Sequence, residues 1–300
     1  MKKQIKGSLA LLLATVIWGS AFISQSVGMD YIGPFTFQAI RCALAVVTLI
    51  PGILLTELPS LGLRASMKLW LDPALLKSGL ICGLALFVAA SLQQIGIIHT
   101  SAGKAGFLTA MYIVLVPILG IFLGKKPGKP IVFSVILSVI GLYLLSCTGE
   151  TGIGLGDLAL IGCAIAFAVQ ILCVDHYAGR VSGLRLNCIQ ALVVTVLSVP
   201  FMLLGESPSI ETIVPCALPL LHAGVLSMGI AYSLQIYGQK HLPPAPAALI
   251  MSLESVFAAL GGWLFLKEAM ATEELIGCVL VFSAVILSQF PDKQKTQQIP

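Results

Sequence analysis

From Gly7 to Phe290 the chain is a succession of continuous apolar runs, separated by short stretches that hold most of its charge. Each run is about as long as the roughly 20 residues a helix needs to cross a bilayer. Such runs suit either the core of a large soluble protein or a membrane, and composition decides between them. The 300 residues are 58% hydrophobic and only 10% charged, against roughly 45–50% and about 25% in ordinary globular domains. That leaves too little polar surface to enclose a water-soluble core. A β-barrel needs segments of about 10 residues alternating apolar and polar, whereas these runs do not alternate and are twice as long. Helices are then the remaining way to satisfy backbone groups in lipid.

Reading the runs against Gly and Pro breakers gives ten expected spans: 7–27, 34–56, 75–97, 101–123, 130–148, 157–177, 184–204, 216–238, 245–266 and 274–290. Gly33-Pro34, Pro127-Gly128 and Pro243-Pro244 fall between runs, where a missing donor costs little. Pro51, Pro117 and Pro200 fall inside runs and are expected to kink them. Fourteen basic residues lie before span 1, in the even-to-odd loops and in the tail: Lys2, Lys3, Lys6, Arg64, Lys68, Lys77, Lys125, Lys126, Lys129, Arg180, Arg185, Lys240, Lys293 and Lys295. The opposite side holds Asp30, Glu150, Asp157, Glu206, Glu211, Glu268, Glu273 and Glu274, with Lys267 the basic exception. The excess of positive loop charge puts both termini in the cytoplasm, as for a multi-pass protein of a bacterial inner membrane.

An internal repeat divides the chain. Residues 91–125 align without gaps to 233–267 with nine identities, among them Gln93/Gln235, Gly96/Gly238, His99/His241 and Lys125/Lys267. Roughly three or four would arise by chance in segments so rich in Leu, Ala, Val and Gly. A second register pairs Ile40, Val47 and Pro51 with Ile189, Val196 and Pro200, and Gly7 with Gly156. The expected fold is therefore an all-α integral membrane protein of ten helices in two five-helix halves, 1–149 and 150–300. Five is odd, so the second half enters the membrane from the opposite side. Inverted repeats are the recurrent architecture of alternating-access carriers, with substrate bound near mid-membrane between the halves.

Other signals exclude more than they assign. The basic residues never form a long run, so the net charge of +4 reads as topology and not as nucleic-acid binding. Eight cysteines lie almost entirely in apolar stretches, without C-x-x-C, and read as packing residues, not disulfides or metal ligands. The run after Met1-Lys2-Lys3 is too long for a cleaved leader and reads as an uncleaved first span. Gly152-x-Gly154-x-Gly156 follows no strand and reads as a connector; Gly79-x-x-x-Gly83 suits a close helix contact or a dimer seam. No H-E-x-x-H, P-loop or G-x-S-x-G is present, which disfavours a metalloprotease, ATPase or hydrolase and calls for no cofactor.

Trp18-Gly19-Ser20-Ala21-Phe22, Phe37-x-x-x-Arg41 and the segment from Thr100 to Thr109 leading to Pro117 resemble the first repeat of EamA-type transporters. Ser252-Leu253-Glu254-Ser255-Val256-Phe257-Ala258-Ala259-Leu260, followed by Lys267-Glu268, resembles the end of the second. The family belongs to the drug/metabolite transporter superfamily and commonly has Pro where Ser255 stands and Gly where Lys267 stands. The resemblance implies ten helices in two inverted repeats around a central cavity. It implies little about the substrate, because members carry amino acids, sugars, nucleotides and drugs.

Glu254 is the sharpest candidate, about ten residues from either end of span 9, where an ionised side chain costs about 2.5–3.5 kcal/mol. Burial there favours its neutral form unless a cation compensates, which suits proton coupling, recognition of an amine, or a hydrogen-bonded structural carboxyl. Lys104 could pair with Glu254, bind a substrate carboxylate, or snorkel to the interface. Arg41 cannot lose its proton and reads first as a brace between helices, second as a substrate contact. Trp18, Phe22 and Gln25 share one face of span 1. Gln93 and Gln235 are equivalent under the repeat, as are Tyr112 and Glu254, so both pairs should approach a shared axis. Gln94, Gln170 and Tyr232 complete the candidate pocket, while His99, His176, His222 and His241 read as structural. The reading is secondary transport of a small organic metabolite, an amino acid, amine or related compound, as an exporter, by a monomer or homodimer in the bilayer. The alternatives are an intramembrane enzyme and a non-transporting scaffold.

Overall fold

The computed structural model describes residues 2–99, 102–125, 127–146, 154–265 and 271–289. Thr100, Ser101, Lys126, Cys147, the junction at 150–153, Lys267, Glu268, Lys293 and Lys295 lie outside the described residues.

Each expected run is helical where it is described. In chain order these are α1 (Lys2–Met29), α2 (Pro34–Leu61), α3 (Leu63–Leu69), α4 (Pro73–Ile98), α5 (Ala102–Ala110), α6 (Tyr112–Phe122) and α7 (Lys129–Ser146). There follow α8 (Leu155–Tyr177), α9 (Gly183–Gly205), α10 (Ile210–Ile213), α11 (Ala217–Leu221), a π-helix (His222–Ala231), α12 (Tyr232–Gln239), α13 (Pro244–Met251), α14 (Leu253–Phe265) and α15 (Thr272–Ser288). Among the described residues, seven stretches are long and apolar enough to cross a membrane: Lys2–Met29, Pro34–Leu61, Pro73–Ile98, Lys104–Phe122, Leu155–Tyr177, Gly183–Gly205 and Ala217–Gln239. Lys129–Leu145 and Pro244–Leu260 are shorter apolar helices. Large apolar side chains such as Phe122, Leu155 and Leu204 stand more than four-fifths exposed, at 83%, 83% and 91%. A bilayer covers such surface; water would not tolerate so much of it.

The breaks in the helices carry more information than their lengths. Pro51 and Pro200 sit inside the continuous helices α2 and α9 and end neither. The fourth and ninth runs are instead interrupted, at Met111 between α5 and α6 and at Ser252 between α13 and α14. The ninth is broken although Ser255 stands where the resembling family has proline; Ser252 Oγ donates to the Leu249 carbonyl, 2.8 Å away, and Ser255 Oγ to that of Gly106, 3.2 Å away. The eighth run changes register through the π-helix. Asn187 Nδ2 on α9 lies 2.9 Å from the Met228 carbonyl, 3.0 Å from that of Gly229 and 2.9 Å from Ser233 Oγ, supplying donors where the winding returns to α.

Small residues set which helices touch. A Cβ on Gly96 (α4) would stand 3.1 Å from the carbonyl oxygen of Gly156 (α8), and one on Gly7 (α1) 3.2 Å from that of Gly238 (α12). Gly141 on α7 and Gly277 on α15 meet the same way, backbone to backbone. Gly79 and Gly83 pack against Ile189 and Val193 of α9, so this spacing serves a contact within the chain. Helix ends are capped across long sequence separations. Gly33 has no side chain to cap α2, and Glu206, at the end of α9, accepts from Phe35 N and Thr36 N at 2.8 and 2.7 Å.

Candidate functional site

The two interrupted runs and the π-helix meet α1, α2, α4 and α8 around a buried cavity. It leaves about 40 Å³ for the centres of water-sized groups, more than the roughly 10–15 Å³ that one water occupies. α1 contributes Trp18, Phe22 and Gln25, the face expected from their spacing. Arg41 enters from α2, Gln93 from α4, Tyr112 from α6, Tyr232 and Gln235 from α12, and Glu254 from α14. Thr109, Phe167, Ile171, Ser227 and Met251 complete the wall; residue type alone did not mark these five.

Several of the cavity's polar groups are held in place by a neighbour. Tyr112 Oη donates to Glu254 Oε1 at 3.1 Å. Arg41 Nη1 donates to Gln25 Oε1 at 2.6 Å, tying α2 to α1, and its guanidinium lies 5.6 Å from the centroid of the Phe37 ring. Gln235 Nε2 donates to Gln170 Oε1 at 3.2 Å. The Trp18 and Tyr232 rings meet edge to face, 5.1 Å between centroids, and form one wall. Arg41 is thus a brace and a cavity-lining cation at once. Three buried polar atoms of lining residues have no hydrogen-bond partner: Trp18 Nε1, Arg41 Nε and Gln235 Oε1.

Three candidates take other places. Lys104 Nζ lies 2.7 Å from Asp157 Oδ2 at the start of α8 and not beside Glu254; the same Asp157 oxygen accepts from Gly154 N at the helix end, 2.8 Å away. Gln94, fully buried on α4, reaches the Gln25 carbonyl at 3.4 Å, and Gln170 serves as the acceptor of Gln235 behind the wall. His222 bridges Ser20 and Ser24, with a ring nitrogen 3.1 Å from each hydroxyl. The described cysteines are free, and most are buried. Among the described residues no group of His, Cys, Asp and Glu is arranged to hold a metal ion.

A second, larger cavity, about 980 Å³, opens where the ends of α1, α6, α8, α13 and α15 converge. Gln4, Ser8, Val116, Pro246 and Gln289 line it, with the ion pair of Lys125 and Asp175 in its wall. On α6 its lining residue Val116 lies four positions beyond Tyr112, and on α8 Asp175 lies four beyond Ile171. Four residues of helix advance about 6 Å, so about one turn of packed side chains separates the two cavities.

Two segments, residues 5–147 and 154–290, match the EamA-like transporter family. A protein of Archaeoglobus fulgidus named an uncharacterized transporter is 30% identical over 286 residues, covering 95% of this chain and 86% of its own. The uncharacterized transporter YoaV of Bacillus subtilis is 21% identical over 297 residues, 96% and 98% of the two chains. The threonine/homoserine exporter RhtA of Escherichia coli is 28% identical over 158 residues, 50% of this chain and 51% of its own. A solved crystal structure at 19% identity superimposes with a TM-score of 0.77 over 96% of this chain and 98% of that one, a likeness of fold.

Proposed function

Because the chain belongs to the EamA-like transporter family, it is a multi-pass membrane transporter, and we propose that it exports a small organic metabolite, an amino acid, amine or related compound, by alternating access. The observation that carries this reading is the central cavity, where Arg41 and Glu254 from two interleaved sets of helices line one small space. The candidate site is Trp18, Gln25, Arg41, Gln93, Tyr112, Tyr232, Gln235 and Glu254. Export of an amino acid is what the name of the half-length match to RhtA suggests for this chain too.

The same reading has ten spans in two inverted halves, 1–149 and 150–300. Two features support it: the family matches twice, and the Gly96–Gly156 contact recurs in kind as Gly238–Gly7, between positions that the two sequence registers equate. The basic loops support an inner-membrane location with both termini in the cytoplasm. Rocking of one half against the other would open the cavity to each side in turn, with Glu254 the candidate for proton coupling.

The test is flux. Proteoliposomes holding the purified chain are loaded with labelled threonine, other amino acids or amines, and efflux is followed with and without a pH gradient. Substrate-dependent efflux is expected above protein-free vesicles. Absence of flux for every compound whose level in the medium changes on overproduction would overturn the reading.

A further inference from the structure

We propose that the central cavity selects an amino acid in its zwitterionic form, with Arg41 receiving the carboxylate and Glu254 the ammonium group. The assignment rests on the transport reading above and narrows its substrate class. Both groups line the same cavity, yet they do not pair with each other. Among the described residues, no carboxylate lies within 4.0 Å of the Arg41 guanidinium and no basic nitrogen within 4.0 Å of the Glu254 carboxyl. Arg41 keeps its proton under all conditions a protein meets, and a buried charge without a counter-ion is costly.

The unmet hydrogen-bonding groups divide the same way. The orphaned donors, Trp18 Nε1 and Arg41 Nε, belong to α1 and α2; the orphaned acceptor, Gln235 Oε1, belongs to α12, and the carboxyl of Glu254 to α14. The lining thus offers N–H groups and a positive charge together with oxygens and a carboxyl. A zwitterion complements both sets and adds no net charge to the loaded cavity. A simple amine would answer Glu254 and leave Arg41 unmet; a simple carboxylate would do the reverse.

The experiment measures ligand-induced thermal stabilisation of the purified full-length chain with each standard L-amino acid. The amino acid that stabilises most is then compared with its methyl ester, which lacks the carboxylate charge, and its N-acetyl derivative, which lacks the ammonium. The parent should bind at least about tenfold more tightly than either derivative, the loss expected when a charge-assisted hydrogen bond is removed. Arg41→Gln should weaken the parent by a similar factor while leaving the ester unchanged, and Glu254→Gln should erase the discrimination against the N-acetyl form. An ester that binds as well as its parent, or a chain that no amino acid stabilises, overturns the assignment; both results come from the unmodified protein and do not depend on a variant folding. Efflux of other metabolites from proteoliposomes would then leave the transport reading standing alone, whereas loss of all flux would remove both.

Discussion

Tyr112 Oη donates a 3.1 Å hydrogen bond to Glu254 Oε1, joining two residues 142 positions apart that the internal alignment equates. Each sits in the first turn of the second piece of an interrupted run, α6 after Met111 and α14 after Ser252. Both side chains line the cavity, and among the described residues the tyrosine is the hydrogen-bond partner of this carboxyl. Tyr112→Phe keeps the ring against Phe167 and removes only the hydroxyl. A lost hydrogen bond between neutral groups is worth about 0.5–1.5 kcal/mol, so transport should fall about 2- to 10-fold with the protein still folded. Proteoliposome efflux beside a circular-dichroism melt checks this; unchanged efflux would show that the hydroxyl only fills space.

Glu254→Gln keeps the shape of the side chain and removes its ability to change charge. The titratable and charged groups around it in the cavity are Tyr112, Tyr232 and Arg41. Membrane expression should be retained, while the dependence of transport on pH disappears. The comparison is efflux across a series of pH values for both proteins, and superimposable profiles at equal rate would sink the coupling role of Glu254.

Asn187 acts at a distance from the cavity. Its amide donates to carbonyls of the π-helix, and Ser227, in that same helix, lines the cavity wall. Asn187→Leu removes those donors and also the acceptor of the buried Gln190 amide, 2.8 Å away, at a cost of about 1–3 kcal/mol. The π-helix should relax toward ordinary winding and rotate Ser227 relative to the cavity. We expect a lower melting midpoint together with weaker substrate binding. A drop in melting midpoint with binding untouched would confine Asn187 to stability.

How much was legible follows from where information sits in a membrane sequence. The apolar helices and the burial of Glu254 could be read because charge is expensive in lipid, so its rare presence in a run is conspicuous. The Trp18, Phe22 and Gln25 face was readable from helical spacing, and the repeat linked Tyr112 to Glu254 before any contact was known. Phe167, Ile171 and Met251 were not readable, because helices apolar all round give no periodicity to separate a lipid-facing residue from a cavity-facing one. The sequence leaves Lys104 a choice of Glu254, a substrate carboxylate or the interface, and its partner Asp157 stands at the start of a helix 53 residues away, where the carboxylate also meets the N–H of Gly154. Gln94 and Gln170 look like site residues by type, and only packing shows that they bond other amides and carbonyls behind the wall.

The pair of Lys125 and Asp175 joins the end of α6 to α8 across the wall of the larger cavity, about one helical turn from the central one. In the proposed orientation that cavity faces the cytoplasm, so the pair should hold the cytoplasmic route closed, and on the export reading loading would require it to part. Lys125 is 43% exposed at its side chain, and exposed pairs contribute only about 0.2–1 kcal/mol. The effect of breaking it is therefore a shift of population, not a loss of fold. In Asp175→Asn, a cysteine placed at Ser8 in the cavity wall should react with a membrane-impermeant maleimide about 1.4- to 5-fold faster from the cytoplasmic side, the ratio that about 0.2–1 kcal/mol implies. Exchanging the charges, Lys125→Asp with Asp175→Lys, should return the rate toward that of the parent. Equal labelling in all three proteins would mean the pair does not bias access, because breaking a latch must change how often the cavity opens.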